Sequence, residues 1–193
     1  MIGTFNLIMA DPPWHETGGC GRGTGNHYPT IKRREDILRV MVTAEHPTLG
    51  PIWRPADVAH MWMWATTTSL PDAMWLMDAL GFTYKTVGVW GKTNSVGQLK
   101  IGMGQYMRHT FEPILFGVRG KGARALSPSS TSVSDWLDTI EQPVIARRRR
   151  HSQKPDEMVA KIEQVSAGAD RRLEMFAREE REGWTPWGNE IAA

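Results

Sequence analysis

The chain has 193 residues, of which 40% are hydrophobic, 23 are basic and 21 acidic, for a formal net charge of +2. That suits one domain over residues 1–193 with a real core, excludes an acidic or low-complexity disordered chain, and permits a nucleic-acid partner without requiring one. A single cysteine, Cys20, rules out an intramolecular disulfide and points to a reducing, cytoplasmic setting; no apolar run reaches membrane-span length, and the first ten residues lack the shape of a signal peptide.

In chain order, Phe5 to Ala10 reads as a short buried strand that runs into Asp11-Pro12-Pro13-Trp14, where two prolines force a turn. Residues 15 to 30 carry five glycines and read as a loop able to fold over a substrate. A helix is expected over Lys32 to Val42, with Ile37, Leu38 and Met41 on one face. The proline-rich stretch 44 to 58 reads as a surface connection, and His60 to Ala65 as a strand. Ser69 is a candidate N-cap, with Pro71 in the first turn and Gly81 closing a helix through Leu80. Tyr84 to Trp90 is a strand, 91 to 109 a second long glycine-rich loop, and Pro113 to Val118 a strand. After a Ser-rich loop over 119 to 139, Val144 to Ala146 forms a short strand before four arginines. Pro155 opens a helix with Met158, Val159, Ile162 and Val165 on one face; Arg172 to Ala177 and Trp184 to Trp187 are the last strands.

Strands alternating with helices predict an α/β fold with a mainly parallel sheet. Ligands of such sheets sit beyond the carboxyl ends of the strands. The rule brings Asp11 to Trp14, Arg178 and the tail Gly188-Asn189-Glu190 together. The first of these carries chemistry. Asp11 offers a carboxylate oxygen and Pro12 a carbonyl; neither Pro12 nor Pro13 has an N–H to compete, and proline holds the carbonyl in place. Two fixed acceptors suit an aromatic amine whose lone pair must be turned out of its ring, and Trp14 offers a flat face beside it. A plain Pro-Pro turn with Asp11 as a turn residue is the bland alternative. Lys154 precedes Pro155 at a helix N-terminus, where a cation is disfavoured by the macrodipole; with free backbone N–H groups it makes an anion site. A solvated surface lysine is the alternative there.

From Asp11 onward the chain resembles the MT-A70 family of adenine-N6 methyltransferases. The resemblance runs through Asp11-Pro12-Pro13-Trp14, Tyr28-Pro29-Thr30, Trp62 to Thr66, Leu80-Gly81-Phe82, Trp90 to Asn94, Gly104 to His109, Phe116 to Gly120, His151 to Glu157, Leu173 to Arg178 and Gly183 to Glu190. It implies a Rossmann-like class I methyltransferase fold with permuted motif order, the catalytic Asp-Pro-Pro-Trp first and the cofactor motifs last. It implies S-adenosylmethionine as cofactor, Asp11, Pro12, Pro13 and Trp14 as catalytic residues, and Asp11, Lys154, Arg178, Asn189 and Glu190 at the cofactor. On this reading Lys154 takes the methionine carboxylate, while Arg178 and Asn189 lie at the ribose and adenine. Glu180 and Arg181 fall where the family often has a His-Asn pair. Larger members carry a segment upstream of the catalytic strand that reads the cofactor adenine, and only ten residues precede Asp11 here.

The expected product is N6-methyladenine in a nucleic acid, with DNA favoured over RNA because the compact form resembles the bacterial and phage relatives. A catalytically silent nucleic-acid-binding partner subunit, or a methyltransferase acting on the exocyclic amine of cytosine, are the alternatives. Arg147, Arg148, Arg149 and Arg150 are candidate phosphate contacts, with a solvated charged face as their alternative; Arg22, His27, Lys100 and Arg108 are weaker ones. His15 and Cys20 are too few to hold a metal. The loop around 97 to 109 is where the resemblance places a homo- or heterodimer contact.

Overall fold

A computed structural model describes residues 3–15, 30–43, 45–46, 50–51, 53–99, 101, 106–128, 144–147, 153–188 and 191. The elements in chain order are β1 (Gly3–Ala10), α1 (Arg34–Val42), β2 (Glu45–His46), β3 (Gly50–Pro51), β4 (Trp53–Trp64), α2 (Leu70–Ala79), β5 (Thr83–Thr93), β6 (Phe111–Arg119), β7 (Val144–Arg147), α3 (Asp156–Val165), β8 (Arg172–Met175) and β9 (Trp184–Trp187). Seven strands form one sheet in the order β7-β5-β6-β4-β1-β8-β9. β1 pairs in parallel with both β4 and β8, β8 with β9, and β5 with β7. β6 alone in this sheet runs the other way, antiparallel to β4 and β5. The fold is a mixed, mainly parallel α/β sheet, consistent with a Rossmann-like methyltransferase.

The strands form where the sequence is apolar on both faces. β1 is buried along Phe5 to Ala10 because it is paired on both sides and covered above and below. On one face α1 contributes Ile37 and Met41, and α2 Ala73, Leu76 and Met77, to a core with Phe5, Ile8 and Leu115. On the other, α3 sets Met158, Val159 and Ile162 against Leu7, Met9, Trp62 and Trp90. At roughly 1.5–3 kcal/mol per fully buried large apolar side chain, these two faces supply most of the drive to fold. Helices on both faces and a reversal of strand order between the parallel neighbours β1 and β8 make a switch point at their carboxyl ends, where α/β sheets bind ligands.

Several boundaries differ from the sequence expectation. The stretch expected to be a surface connection is strand from Trp53 onward, with Trp53 and Ala56 buried. Pro55 is tolerated because the β1–β4 register jumps beside it, from Phe5↔Pro55 to Leu7↔His60. The Trp53 indole N–H donates to the Met41 carbonyl at 2.6 Å, pinning the strand start to α1. Pro155 is the N-cap of α3 rather than its first residue. Gly81 closes α2 as expected, in the left-handed region at φ 80°, its N–H donating to Asp78. β8 ends at Met175, two residues early, because Phe176 takes φ 61°. Far from the carboxyl edge, buried His60 hydrogen-bonds Ser166 Oγ through Nδ1 and the Ala123 carbonyl through Nε2, both at 2.9 Å.

Candidate functional site

Six of the seven strands deliver their carboxyl ends to one edge of the sheet, and β6 delivers its amino end there. This edge gathers Asp11 after β1, Lys92 near the end of β5, Glu112 at the start of β6, Lys154 just before α3 and Arg178 after β8. Lys154 Nζ lies 3.1 Å from Asp11 Oδ1 and 3.1 Å from Glu112 Oε2. Glu112 Oε1 takes a short hydrogen bond from Lys92. Two carboxylates and two ammonium groups thus form one chain of contacts, Asp11–Lys154–Glu112–Lys92. Its floor is aromatic: Lys154 Nζ sits 4.9 Å from the Trp64 ring centroid and Lys92 Nζ 5.4 Å from that of Trp90, and the two indoles meet edge to face at 6.1 Å.

The electrostatics follow from burial against pairing. Burial lifts Asp11 above the ordinary carboxylate range, with Lys154 pulling against it and Glu112 adding to the rise. Burial acts on Glu112 in the same sense, but Lys154 and Lys92 together outweigh it and hold that carboxyl at about 2. Lys154 is raised: burial would lower it, and Asp11 and Glu112 overcome that. Lys154 is therefore not the anomalous cation at a helix start that the macrodipole argument suggested; two carboxylates compensate it over the Trp64 ring.

The turn after β1 is tightly defined. Trp14 N–H donates to the Pro12 carbonyl at 2.8 Å and Ile31 N–H to that of Pro13 at 3.0 Å. A carbonyl oxygen has two lone pairs, so Pro12 keeps one acceptor position beside Asp11. Trp14 departs from expectation. It is only 6% exposed, packed in the α1/α2 core, and its indole N–H donates to the Trp64 carbonyl at 2.9 Å. It anchors the turn to β4 rather than presenting an open face to a ring.

A narrow cleft runs beside Asp11, lined by Met9, Trp64, Lys154, Glu174, Phe176, Arg178, Glu179 and Arg181, with about 20 Å³ of free volume between its charged walls. Three buried polar atoms in it make no hydrogen bond among the described residues: Trp64 Nε1, and Glu174 Oε2 and Arg181 Nε, which face each other as an ion pair at 3.2 Å. Burial lifts Glu174 to about 7, with Arg181 opposing and Glu179 and Asp11 adding to the rise. Phe176 holds its left-handed backbone at the mouth, edge to face with Trp187 at 5.4 Å. There β9 comes so close to β8 that a Cβ on Gly188 would stand 2.2 Å from the Ala177 carbonyl oxygen. A larger open hollow, about 550 Å³, lies at the opposite edge of the sheet among Thr4, Arg171 and Thr185, far from this chemistry; the paired buried charges, not size, mark the functional edge.

Of the residues expected from sequence, Asp11, Lys154 and Arg178 meet at this cleft, and Pro12 and Pro13 follow Asp11 in the turn beside it. Arg147 ends β7 beside Thr93, exposed at the same edge, and Arg108 is exposed between β5 and β6. Asn189, Glu190, Arg148, Arg149, Arg150, Arg22, His27 and Lys100 lie outside the described residues. Glu112, Glu174 and the role of Lys92 were missed. Glu112 sits at the start of an apolar strand, and only the reversed direction of β6 carries it to the edge where the parallel strands end.

The MT-A70 family model matches residues 5–190. Similar curated proteins include an N(6)-adenosine-methyltransferase MT-A70-like of Arabidopsis thaliana, 28% identical over 195 residues, which are 99% of this chain and 24% of that protein. The N(6)-adenosine-methyltransferase catalytic subunit METTL3 of Homo sapiens is 26% identical over 195 residues, 99% of this chain and 29% of that one. Type II methyltransferase M.MunI of a Mycoplasma species is 28% identical over 206 residues, covering 97% of this chain and 78% of the relative. The chain spans about a quarter of the length of the plant relatives.

Proposed function

This chain belongs to the MT-A70 family, and from that premise we propose that it is an S-adenosylmethionine-dependent methyltransferase acting on the N6 amine of adenine in a nucleic acid. The observation that carries the reading is the Asp11–Lys154–Glu112 cluster at the carboxyl edge, one acceptor position of Pro12 beside it.

The cleft fits the cofactor chemically. Alternating carboxylates and cations suit an amino-acid end and a sulfonium, and the Trp64 indole N–H, which makes no hydrogen bond among the described residues, offers a donor. Lys154 and Arg178 would hold its anionic and hydroxyl groups, with Asn189 and Glu190 following Gly188. When bound, the cofactor supplies an activated methyl on its sulfonium. The chain's own work is orientation. Asp11 accepts one N–H of the target amine and the Pro12 carbonyl the other, which turns the nitrogen lone pair toward the donor. Lys154, tied to Glu112, fixes the Asp11 carboxylate in that pose. A base from a duplex reaches this edge only flipped out; one in a single strand reaches it directly.

We favour DNA over RNA. The similarity to a type II methyltransferase over 97% of this chain supports that preference. Arg147 and Arg108, exposed at or near the edge, are proposed phosphate contacts, together with Arg148 to Arg150, Arg22, His27 and Lys100. The apolar exposure of Leu99, Ile101 and Met107 supports a dimer contact through the 97 to 109 segment. The test is transfer of labelled methyl from S-adenosylmethionine to duplex DNA, single-stranded DNA and RNA, with nucleoside mass spectrometry of the products. N6-methyladenine is expected; N4-methylcytosine would move the target base, and no transfer to any polymer would overturn the proposal.

A further inference from the structure

Arg181 received no secure role from the sequence, yet it pairs with three carboxylates at the cleft. Its guanidinium meets carboxylates from three places: Asp156 in the first turn of α3 at 2.7 Å, Glu174 on β8 at 3.2 Å, and Glu179 in the loop after β8 through a short contact. The Arg181 side chain is 14% exposed. Beside it Gln153 Nε2 donates to Glu179 Oε2 at 3.1 Å, a second tie between the same two segments. One segment, just before α3, carries Lys154; the other, after β8, carries Arg178; both residues line the cleft. These segments lie some 25 positions apart in sequence, and the contacts join them across the cleft wall.

We propose that Arg181 is a positioning residue of the cofactor cleft, its guanidinium clasping the loop after β8 to the first turn of α3 and so fixing Arg178 and Lys154 relative to each other. Only a planar fork with five donors spans three carboxylates at once; a lysine keeps the charge but not the span. The clasp's contacts are with Asp156, Glu174 and Glu179 and not with Asp11, so its expected effect falls on cofactor binding rather than on the transfer step. That functional consequence rests on the methyltransferase reading; the mechanical one does not.

Two measurements decide it on the full chain. Amide hydrogen exchange of Arg181→Ala is expected to show residues 153–157 and 176–183 losing protection together. Calorimetry with S-adenosylmethionine is expected to show affinity falling by on the order of tenfold, within the range of couplings between packed segments, with turnover at saturating cofactor nearly unchanged. Arg181→Lys should recover little of either. Glu174 is already poised at about 7, so it takes up a proton when its partner is removed, and Arg181→Ala/Glu174→Gln supplies a variant that leaves no buried carboxylate unpaired, Asp156 and Glu179 being half-exposed. Protection lost in only one of the two segments, or unchanged cofactor affinity in that double variant, would overturn the clasp. A wild-type chain that binds no S-adenosylmethionine while the exchange coupling is present would instead count against the methyltransferase reading.

Discussion

At the scale of single residues, the site is a set of charges that burial would destroy if each stood alone. Asp11 and Glu112 share Lys154, and Lys92 completes the balance. Asp11→Ala is expected to lower methyl transfer by ~10²–10³-fold, the usual loss for one positioned polar contact at a reacting centre. The fold should survive it, because Lys154 keeps Glu112. Circular dichroism beside the transfer assay checks both halves, and near-normal turnover would remove Asp11 from the mechanism. Glu112 carries a pH signature. Its carboxyl falls from 4.5 to about 2 on folding, so the unfolded chain binds the extra proton as pH drops, and stability present above pH 4.5 is lost toward pH 2. Wild type should exceed Glu112→Gln in urea midpoint at pH 6, and that advantage should shrink steadily as titrations are repeated toward pH 3. A pH-independent difference would mean that the two lysines do not hold this carboxylate.

At the scale of elements, β4, α3 and the 3-10 turn Ala123–Leu126 are tied by one buried imidazole. The Ala123 carbonyl can only accept, so in the neutral ring Nε2 carries the proton and Nδ1 accepts from Ser166; Ser166 Oγ in turn accepts from the Trp62 indole at 3.3 Å. Burial lowers His60 below its ordinary value of 6.5, Arg124 adds to this, and the Ala123 hydrogen bond opposes it. A depressed folded value means the unfolded chain protonates first. The tie therefore contributes fully above pH 6.5 and weakens as pH falls below it. Thermal unfolding of wild type and His60→Gln between pH 7.5 and 5.5 should converge toward the acid end. At neutral pH the variant should melt lower, by about 2–4 °C per kcal/mol for a chain this size, with ~1–3 kcal/mol at stake when a buried partner is left unsatisfied. Parallel melting curves at all pH values would show that His60 does not titrate in this way. A second element-scale expectation concerns β9: Gly188→Ala puts a carbon 2.2 Å from the Ala177 carbonyl oxygen, so the β8–β9 end must part, and cofactor binding should fall more than stability.

At the scale of the molecule, one sheet edge holds the chemistry and its rim carries positive charge. Arg147 leaves β7 exposed beside Thr93, on the side of Lys92 and Glu112. Four consecutive side chains cannot all point the same way, so about two of the four arginines from Arg147 are expected to meet the same strand of phosphates. Each neutralised phosphate contributes a slope of about −0.9 in log affinity against log salt for duplex DNA and about −0.7 for single strands. Replacing the run with serine should weaken nucleic-acid binding and flatten the salt slope by roughly two such contacts, with cofactor affinity little changed. Equal slopes for both proteins would assign the arginines to a solvated face instead.

What the sequence determined was the alternation of elements, Asp11 at the end of the first strand, and Lys154 at a helix start. These are local facts: apolar periodicity, the prolines after β1, and Pro155 before α3 each act over a few residues. The extra length of β4 escaped because Pro55 signals a break, whereas a register jump between paired strands absorbs it. Trp14 escaped because its neighbours Trp64 and the α1/α2 core are remote in sequence. Glu112 was invisible for a topological reason: its place beside Lys154 depends on β6 running against its neighbours. Arg181 was seen but could not be placed, since its three partners come from α3, β8 and the loop between β8 and β9. Residue type and local pattern decide which groups a chain can offer. Which of them come into contact is decided by the long-range pairing of strands, and that pairing is set by the burial of both faces of the sheet together.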